Sequence, residues 1–279
     1  MCWRLYLKNG GTRNENRVIQ LLNVTGLGDK VNDLILSRVC SGKSENLVIF
    51  FHGDIQDYSE MMSANPNSKN YCQWNLEDTG SILAKKFSNH VIMTVKASRI
   101  DSRAKACFDN FVKTDRYGEP TFAMDIKPLM HLQLLTEQAI KSSDWLSSLK
   151  CIKLIGFSQG MTVINQIIHS LYSLDQSPNS DLEAFASLIK HIYWLDGGKC
   201  WLTDEKIIQT LKNRRIFGHV YVTPLQVCNR DRPDNQINYK IFLSFLDCLK
   251  IDHVHKLYYK DSEPSFAHHF QLLADFDSD

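Results

Sequence analysis

Cys151-Ile152-Lys153-Leu154-Ile155-Gly156-Phe157-Ser158-Gln159-Gly160-Met161 is the stretch on which the fold turns. Ile152, Leu154 and Ile155 read as a strand buried on both faces. From Met161 to Leu174 the apolar residues Val163, Ile164, Ile167, Ile168 and Leu171 recur at helical spacing. Between strand and helix lies Gly-x-Ser-x-Gly. A serine on a sharp strand-to-helix turn presents its hydroxyl, and glycines two residues before and after relieve the crowding that such a turn creates. With Gly and Ser each at about 7% of residues, the five-residue pattern alone arises by chance in about one chain in ten of this length. The flanking strand and helix make Ser158 a candidate nucleophile.

Outward from this turn, strand-like runs alternate with helical patterns. Leu47-Val48-Ile49-Phe50-Phe51 is continuously apolar and ends in His52-Gly53-Asp54. Val91 to Val95, Ile192 to Leu195 and Val220 to Thr223 read as further strands, with Leu257-Tyr258-Tyr259 as the last. Helical spacing is found over 76–87, 129–140, 205–212, 235–249 and 265–276, with Thr203 an incomplete cap for the third of these. This alternation predicts an α/β protein with a mostly parallel central sheet flanked by helices. Val18 to Val24 and Leu34 to Leu36, joined through Gly26 and Gly28, predict an antiparallel N-terminal hairpin. A single domain over 1–279 is expected. The polar stretch 98–121 is long for a connection. With Trp74 and Phe108 it is a candidate wall for an acyl or aromatic pocket, although core packing explains those aromatics equally well.

Composition narrows the function classes. Lys and Arg total 32 against 31 Asp and Glu, a formal charge of +1, so no bulk attraction to nucleic acid or anionic membrane is expected. No apolar run approaches the roughly 20 residues of a membrane-spanning helix. The opening Met1 to Lys8 does not read as a secretory signal, nor residues 1–17 as a transit peptide. None of the eight cysteines forms a Cys-x-x-Cys pair, and Cys151 and Cys248 read as small core residues. Neither metal nor cofactor is expected.

A serine nucleophile needs a base, an acid to orient the base, and donors for the oxyanion. The amide of Gln159 is one expected donor. Asp54, in the loop after the Leu47–Phe51 strand, supplies the other, with His52 shaping the loop. Where chain order runs serine, acid, histidine, the base follows the last strand, leaving His268 and His269 of the ten histidines. Asp231, after the Val220–Thr223 strand, and Asp196, at the end of the strand before it, are equal candidates for the acid, with Asp234 behind them. The expected chemistry is acyl transfer to Ser158 and then to water, on a small-molecule or lipid acyl substrate.

Six segments carry a resemblance to a known family. They are Phe50-Phe51-His52-Gly53-Asp54-Ile55-Gln56-Asp57-Tyr58, Cys107-Phe108-Asp109-Asn110-Phe111-Val112-Lys113, Gly156 to Gly160, Tyr193-Trp194-Leu195-Asp196-Gly197-Gly198, Val222-Thr223-Pro224-Leu225-Gln226-Val227-Cys228 and His269-Phe270. Together they resemble a metazoan family of mitochondrial serine-hydrolase-like proteins named for an open reading frame on human chromosome two. The resemblance implies an α/β-hydrolase fold, a Ser158 nucleophile, a late histidine and a mitochondrial location, the alternative being cytoplasmic; its closing His-Phe favours His269 over His268, and its Leu-Asp-Gly-Gly pattern makes Asp196 attractive as the acid, with Asp231 still open. It supplies no substrate. A second class of function remains open at this point: a catalytically silent hydrolase fold that acts as a binding or scaffold factor for mitochondrial function.

Overall fold

The computed structural model describes residues 3–7, 17–115, 119–198 and 201–278. Among them a nine-stranded sheet is built from β1 (Trp3–Leu7), β2 (Arg17–Thr25), β3 (Val31–Arg38), β4 (Ser44–Phe51), β5 (Val91–Val95), β6 (Leu146–Phe157), β7 (Ile189–Leu195), β8 (Phe217–Val222) and β9 (His253–Leu257). The order across the sheet is β1-β2-β3-β5-β4-β6-β7-β8-β9. The strands from β5 to β9 run parallel to one another, whereas β1, β2 and β3 pair antiparallel and β3 joins β5 antiparallel. The mostly parallel sheet and the N-terminal hairpin are as expected.

The helices are α1 (Ser59–Ala64), α2 (Leu76–Lys86), α3 (Lys127–Ser142), α4 (Met161–Gln176), α5 (Ser180–Ala186), α6 (Glu205–Asn213), α7 (Pro224–Val227), α8 (Pro233–Cys248) and α9 (Phe266–Asp275). They cover both faces, which explains why the central strands are uninterrupted apolar runs rather than alternating ones. Successive side chains of a strand point to opposite faces. Leu47, Ile49 and Phe51 of β4 accordingly pack into the core formed with α3, α4, α6 and α8. Val48 and Phe50 pack into the other core, with Leu83 and Phe87 from the α2 side and Phe270 and Leu273 of α9. No described helix is long and apolar enough to cross a membrane.

The connection after β4 passes through α2 to β5 on one side, and the next passes through α3 to β6 on the other. The order of strands therefore reverses at β4. A crevice opens above the carboxyl ends of a parallel sheet at such a reversal. Gly156 of β6 is in register with Phe51 of β4, so the Ser158 turn and the His52-Gly53-Asp54 loop emerge side by side there.

Several elements differ from expectation. The last strand is β9, His253–Leu257, and not 257–259; Tyr259 lies in the turn that follows, at φ +53°. β9 is an edge strand paired only with β8, and its side chains are largely exposed, so it lacks the apolar signal of a buried strand. A further edge strand, β1, lies outside the hairpin. The 98–121 stretch carries two short antiparallel ribbons, Arg99–Ile100 with Ala106–Cys107 and Lys113–Thr114 with Pro120–Thr121. Trp74 and Phe108 belong to the core: Trp74 stacks on Phe270 at 6.1 Å, and Phe108 meets Phe51 edge-on at 6.0 Å. Cys248 is exposed at the end of α8 and Cys151 is only half-buried; the six described cysteines are free thiols.

Candidate active site

The residue at the tip of the turn, Ser158, sits at φ +50°, the left-handed region that costs a non-glycine residue about 1–2 kcal/mol. Steric contact explains the flanking glycines. A Cβ on Gly160 would lie 2.0 Å from the Phe51 carbonyl oxygen, and one on Gly156 would lie 2.5 Å from Ile164 Cγ1. The first turn of α4 rests directly on the backbone of β4, and only glycine allows it. On the facing loop, a Cβ on Gly53 would stand 2.8 Å from Ser158 Cβ. The two loops are in van der Waals contact at the serine.

His52 is wholly buried, and its ring sets that loop. Nε2 accepts from the Ala97 amide at 3.0 Å, so the proton sits on Nδ1, which donates to the Gly53 carbonyl at 2.7 Å. Burial pushes its pKa down to about 3, with the Gly53 bond opposing and Lys96 adding to the effect, so the ring is neutral around neutral pH. Pinning the Gly53 carbonyl fixes the Gly53–Asp54 peptide plane and turns the Asp54 N–H the opposite way. The Gly53 amide is itself satisfied by Gln56 Oε1 at 2.9 Å. The Asp54 amide has no acceptor among the described residues.

His269 and Asp196 come together. Asp196 ends β7 at φ +45° and is fully buried. Its Oδ2 accepts from His269 Nδ1 at 2.6 Å and from Thr223 Oγ1 at 2.7 Å, while Oδ1 accepts from the Thr223 amide at 2.6 Å. A carboxylate that leaves water needs such partners, and here three donors converge on it. Nδ1 is committed to Asp196, and Nε2 has no hydrogen-bond partner among the described residues. The ring packs on Phe157, with centroids 4.5 Å apart, which puts it against the residue preceding Ser158. Ser158 Oγ makes no hydrogen bond among the described residues; catalytic hydrogen bonds often tighten only once substrate binds.

The other candidates fall elsewhere. His268 stacks on Tyr259 at 4.5 Å, and its Nδ1 has no hydrogen-bond partner among the described residues. Asp231 is exposed and makes no contact with the imidazole; its amide donates to Asn229 Oδ1. Asp234 is likewise exposed. The carboxylate on the imidazole is therefore that of Asp196 and not that of Asp231.

Ser158 and Gln159 open onto a cavity of about 570 Å³. Its walls are mostly polar and include Asp54, Gln226 and Arg232. The Asp54 carboxylate accepts from the Ala106 amide at 2.8 Å, and burial raises its pKa above the ordinary carboxylate range, against the pull of Ala106, Lys105 and His269. Sequence reasoning proposes the Asp54 amide as a donor but does not single out its carboxylate in the cavity, nor Thr223, Gln226 or Arg232. The position of Thr223 at the end of a strand next to the Asp196 strand is the one available signal for it.

A strand-to-helix turn at the reversal of a mostly parallel sheet, with a carboxylate supplied from the end of β7 and an imidazole from α9, defines a protein of the α/β-hydrolase fold. Solved structures share that fold. An S-formylglutathione hydrolase from Agrobacterium tumefaciens superposes with a TM-score of 0.54 at 7% identity, over 97% of this chain and 96% of that one. The esterase Est22 superposes with a TM-score of 0.50 at 11% identity, over 92% and 75%. The C2orf69 family profile matches residues 20–149 and 139–252, and the chain belongs to that family. The mitochondrial protein C2orf69 homolog of Danio rerio is 27% identical over 293 residues, covering 93% of this chain and 85% of the relative. Mitochondrial protein C2orf69 of Homo sapiens is 27% identical over 281 residues, covering 81% and 72%.

Proposed function

We propose that this chain is a serine hydrolase that cleaves an ester or thioester by acyl transfer, within one domain over 1–279. The observation that carries the reading is the buried Asp196–His269 hydrogen bond of 2.6 Å, formed beside the Ser158 turn. An acid–imidazole pair has little structural reason to be buried next to a strained serine. In the proposed cycle His269 Nε2 takes the Ser158 proton, and Oγ attacks the carbonyl carbon. The amides of Gln159 and Asp54 receive the oxyanion. His269 then protonates the leaving group, and water, activated by the same imidazole, releases the acyl group and restores Ser158. The relatives named as mitochondrial proteins support a mitochondrial setting for this reaction.

A specific feature favours a second reading. The Asp54 carboxylate lines the cavity in the loop that would bind the oxyanion. An ionised carboxylate there opposes developing negative charge, as suits a catalytically silent binding protein.

A fluorophosphonate probe separates the two. Wild-type protein should be labelled, and Ser158→Ala should lose the label while keeping its fold by circular dichroism. Absence of labelling in the folded wild type overturns the hydrolase reading.

A further inference from the structure

The wall of the Ser158 cavity carries an arginine that no carboxylate pairs among the described residues. Arg232 lies where α8 begins, with Asp231 and Asp234 close by in sequence, yet neither forms an ion pair with it. Its guanidinium is held by a neutral partner instead. Arg232 Nη1 donates to Gln226 Oε1 at 2.9 Å. The same oxygen accepts from Asn235 Nδ2 at 3.1 Å. Gln226 and Asn235 are 4% and 3% exposed, so this mount is part of the protein interior. A guanidinium has five N–H donors, and a neutral amide leaves its charge uncompensated.

The charges around the cavity are sorted by depth. Glu119, Asp231 and Asp234 line it as exposed residues, where solvent and salt screen them. Arg232 and Lys105 are half-buried. The third half-buried charged residue is Asp54, whose carboxyl is shifted by burial toward its neutral form. The rim is thus acidic and screened, and Arg232 brings a guanidinium held by neutral amides to the deeper wall.

We infer that Arg232 is a specificity residue and that the cavity over Ser158 takes an ester or thioester whose acyl or leaving group carries an oxyanion, a carboxylate or a phosphate. The planar fork of a guanidinium matches both groups with two parallel hydrogen bonds. A long, uncharged fatty acyl chain finds little apolar wall here. The inference deepens the proposed function and rests on it for the word ester; the anion site itself does not need turnover.

Two experiments keep those claims apart. The first measures binding to Ser158→Ala protein by ligand-observed NMR titration, with monomethyl succinate, methyl phosphate and dimethyl succinate as probes. At least one anionic probe should bind ten-fold or more tightly than the neutral diester, and whichever does so identifies the preferred group. Adding Arg232→Gln should remove the preference, and Arg232→Lys should restore part of it, since lysine keeps the charge but loses the fork. Equal binding of charged and neutral probes, or no binding of any, overturns the inference. So does a preference that survives in folded Arg232→Gln protein.

The second experiment compares kcat/KM for mono-p-nitrophenyl succinate and p-nitrophenyl acetate. The ratio should favour the succinate and fall about ten-fold in Arg232→Gln. Anion binding without turnover or fluorophosphonate labelling leaves the site and removes the hydrolase reading. Turnover without charge preference does the reverse.

Discussion

At the scale of single residues, the site holds side chains at conformations and depths that folding alone disfavours. Ser158 and Asp196 both take positive φ, and Asp54 keeps a buried carboxyl. Conformations and buried charges of this kind are enriched at functional sites, although positive φ also occurs at Asn23, Arg215 and Lys250. Asp54 gives a measurable case. Burial raises its pKa in the folded protein, so below the ordinary carboxylate pKa both folded and unfolded states are protonated and no penalty exists. As pH rises, the unfolded chain ionises freely while the folded one resists, so stability is lost until the folded pKa is passed. Asn at this position keeps an oxygen for the Ala106 amide and removes the charge. Asp54→Asn is therefore expected to raise stability at pH 7 and to leave it unchanged at pH 3, as read by urea denaturation at the two pH values. Equal effects at both would place the carboxyl in water. Residue identity is legible in part from sequence: chain order brings Ser158 and the His268–His269 pair into view. Asp196 and Asp231 are not separable that way, because both end or follow parallel strands. Only the Thr223 and His269 donors, far off in sequence, distinguish them.

At the scale of elements, legibility follows burial. β4, β5 and β6 are covered on both faces, and their apolar runs locate them in the sequence. β9 is an exposed edge, and α5 is a short helix after the Ser177-Pro178 break, whose cap is the Asn179 side chain accepting from the Leu182 amide at 3.0 Å. Neither has a long amphipathic pattern to announce it. Helix starts are decided by single hydrogen bonds, and α6 shows how a one-residue error arises. Thr203 has the right chemistry for a cap, but Asp204 performs the role, its Oδ1 accepting from the amides of Lys206 at 2.9 Å and Ile207 at 3.4 Å. Asp204→Ala should lower stability by about 1 kcal/mol, while Thr203→Ala on the exposed neighbour should change it by less than about 0.5 kcal/mol. Denaturation midpoints of the two variants check this; the reverse order would move the cap back to Thr203.

At the scale of the whole molecule, the candidate site is assembled from the ends of β4, β6, β7 and β8 and from α9. Strand order depends on pairings such as Leu34 with Val95 and Phe51 with Gly156, which no local pattern encodes. The imidazole is the part most dependent on distant packing, because α9 is held to the sheet by its apolar face. Phe270, 2% exposed, packs on Tyr71 at 5.2 Å, on Phe157 at 5.6 Å and on Trp74 at 6.1 Å, and it is adjacent to His269 in the chain. Lys86 adds a tether from α2, donating to the Phe276 carbonyl at 2.6 Å. Phe270→Ala should cost about 3–5 kcal/mol, and in the fraction that stays folded it should also slow fluorophosphonate labelling, because the ring behind His269 is lost. Leu132→Ala, on α3 and buried in the opposite core, is the control; it should cost about 2–5 kcal/mol without changing the labelling rate of folded protein. Equal slowing in both variants, measured at a temperature where circular dichroism shows the folded state, would mean that labelling follows overall stability and that α9 has no separate part in placing the imidazole.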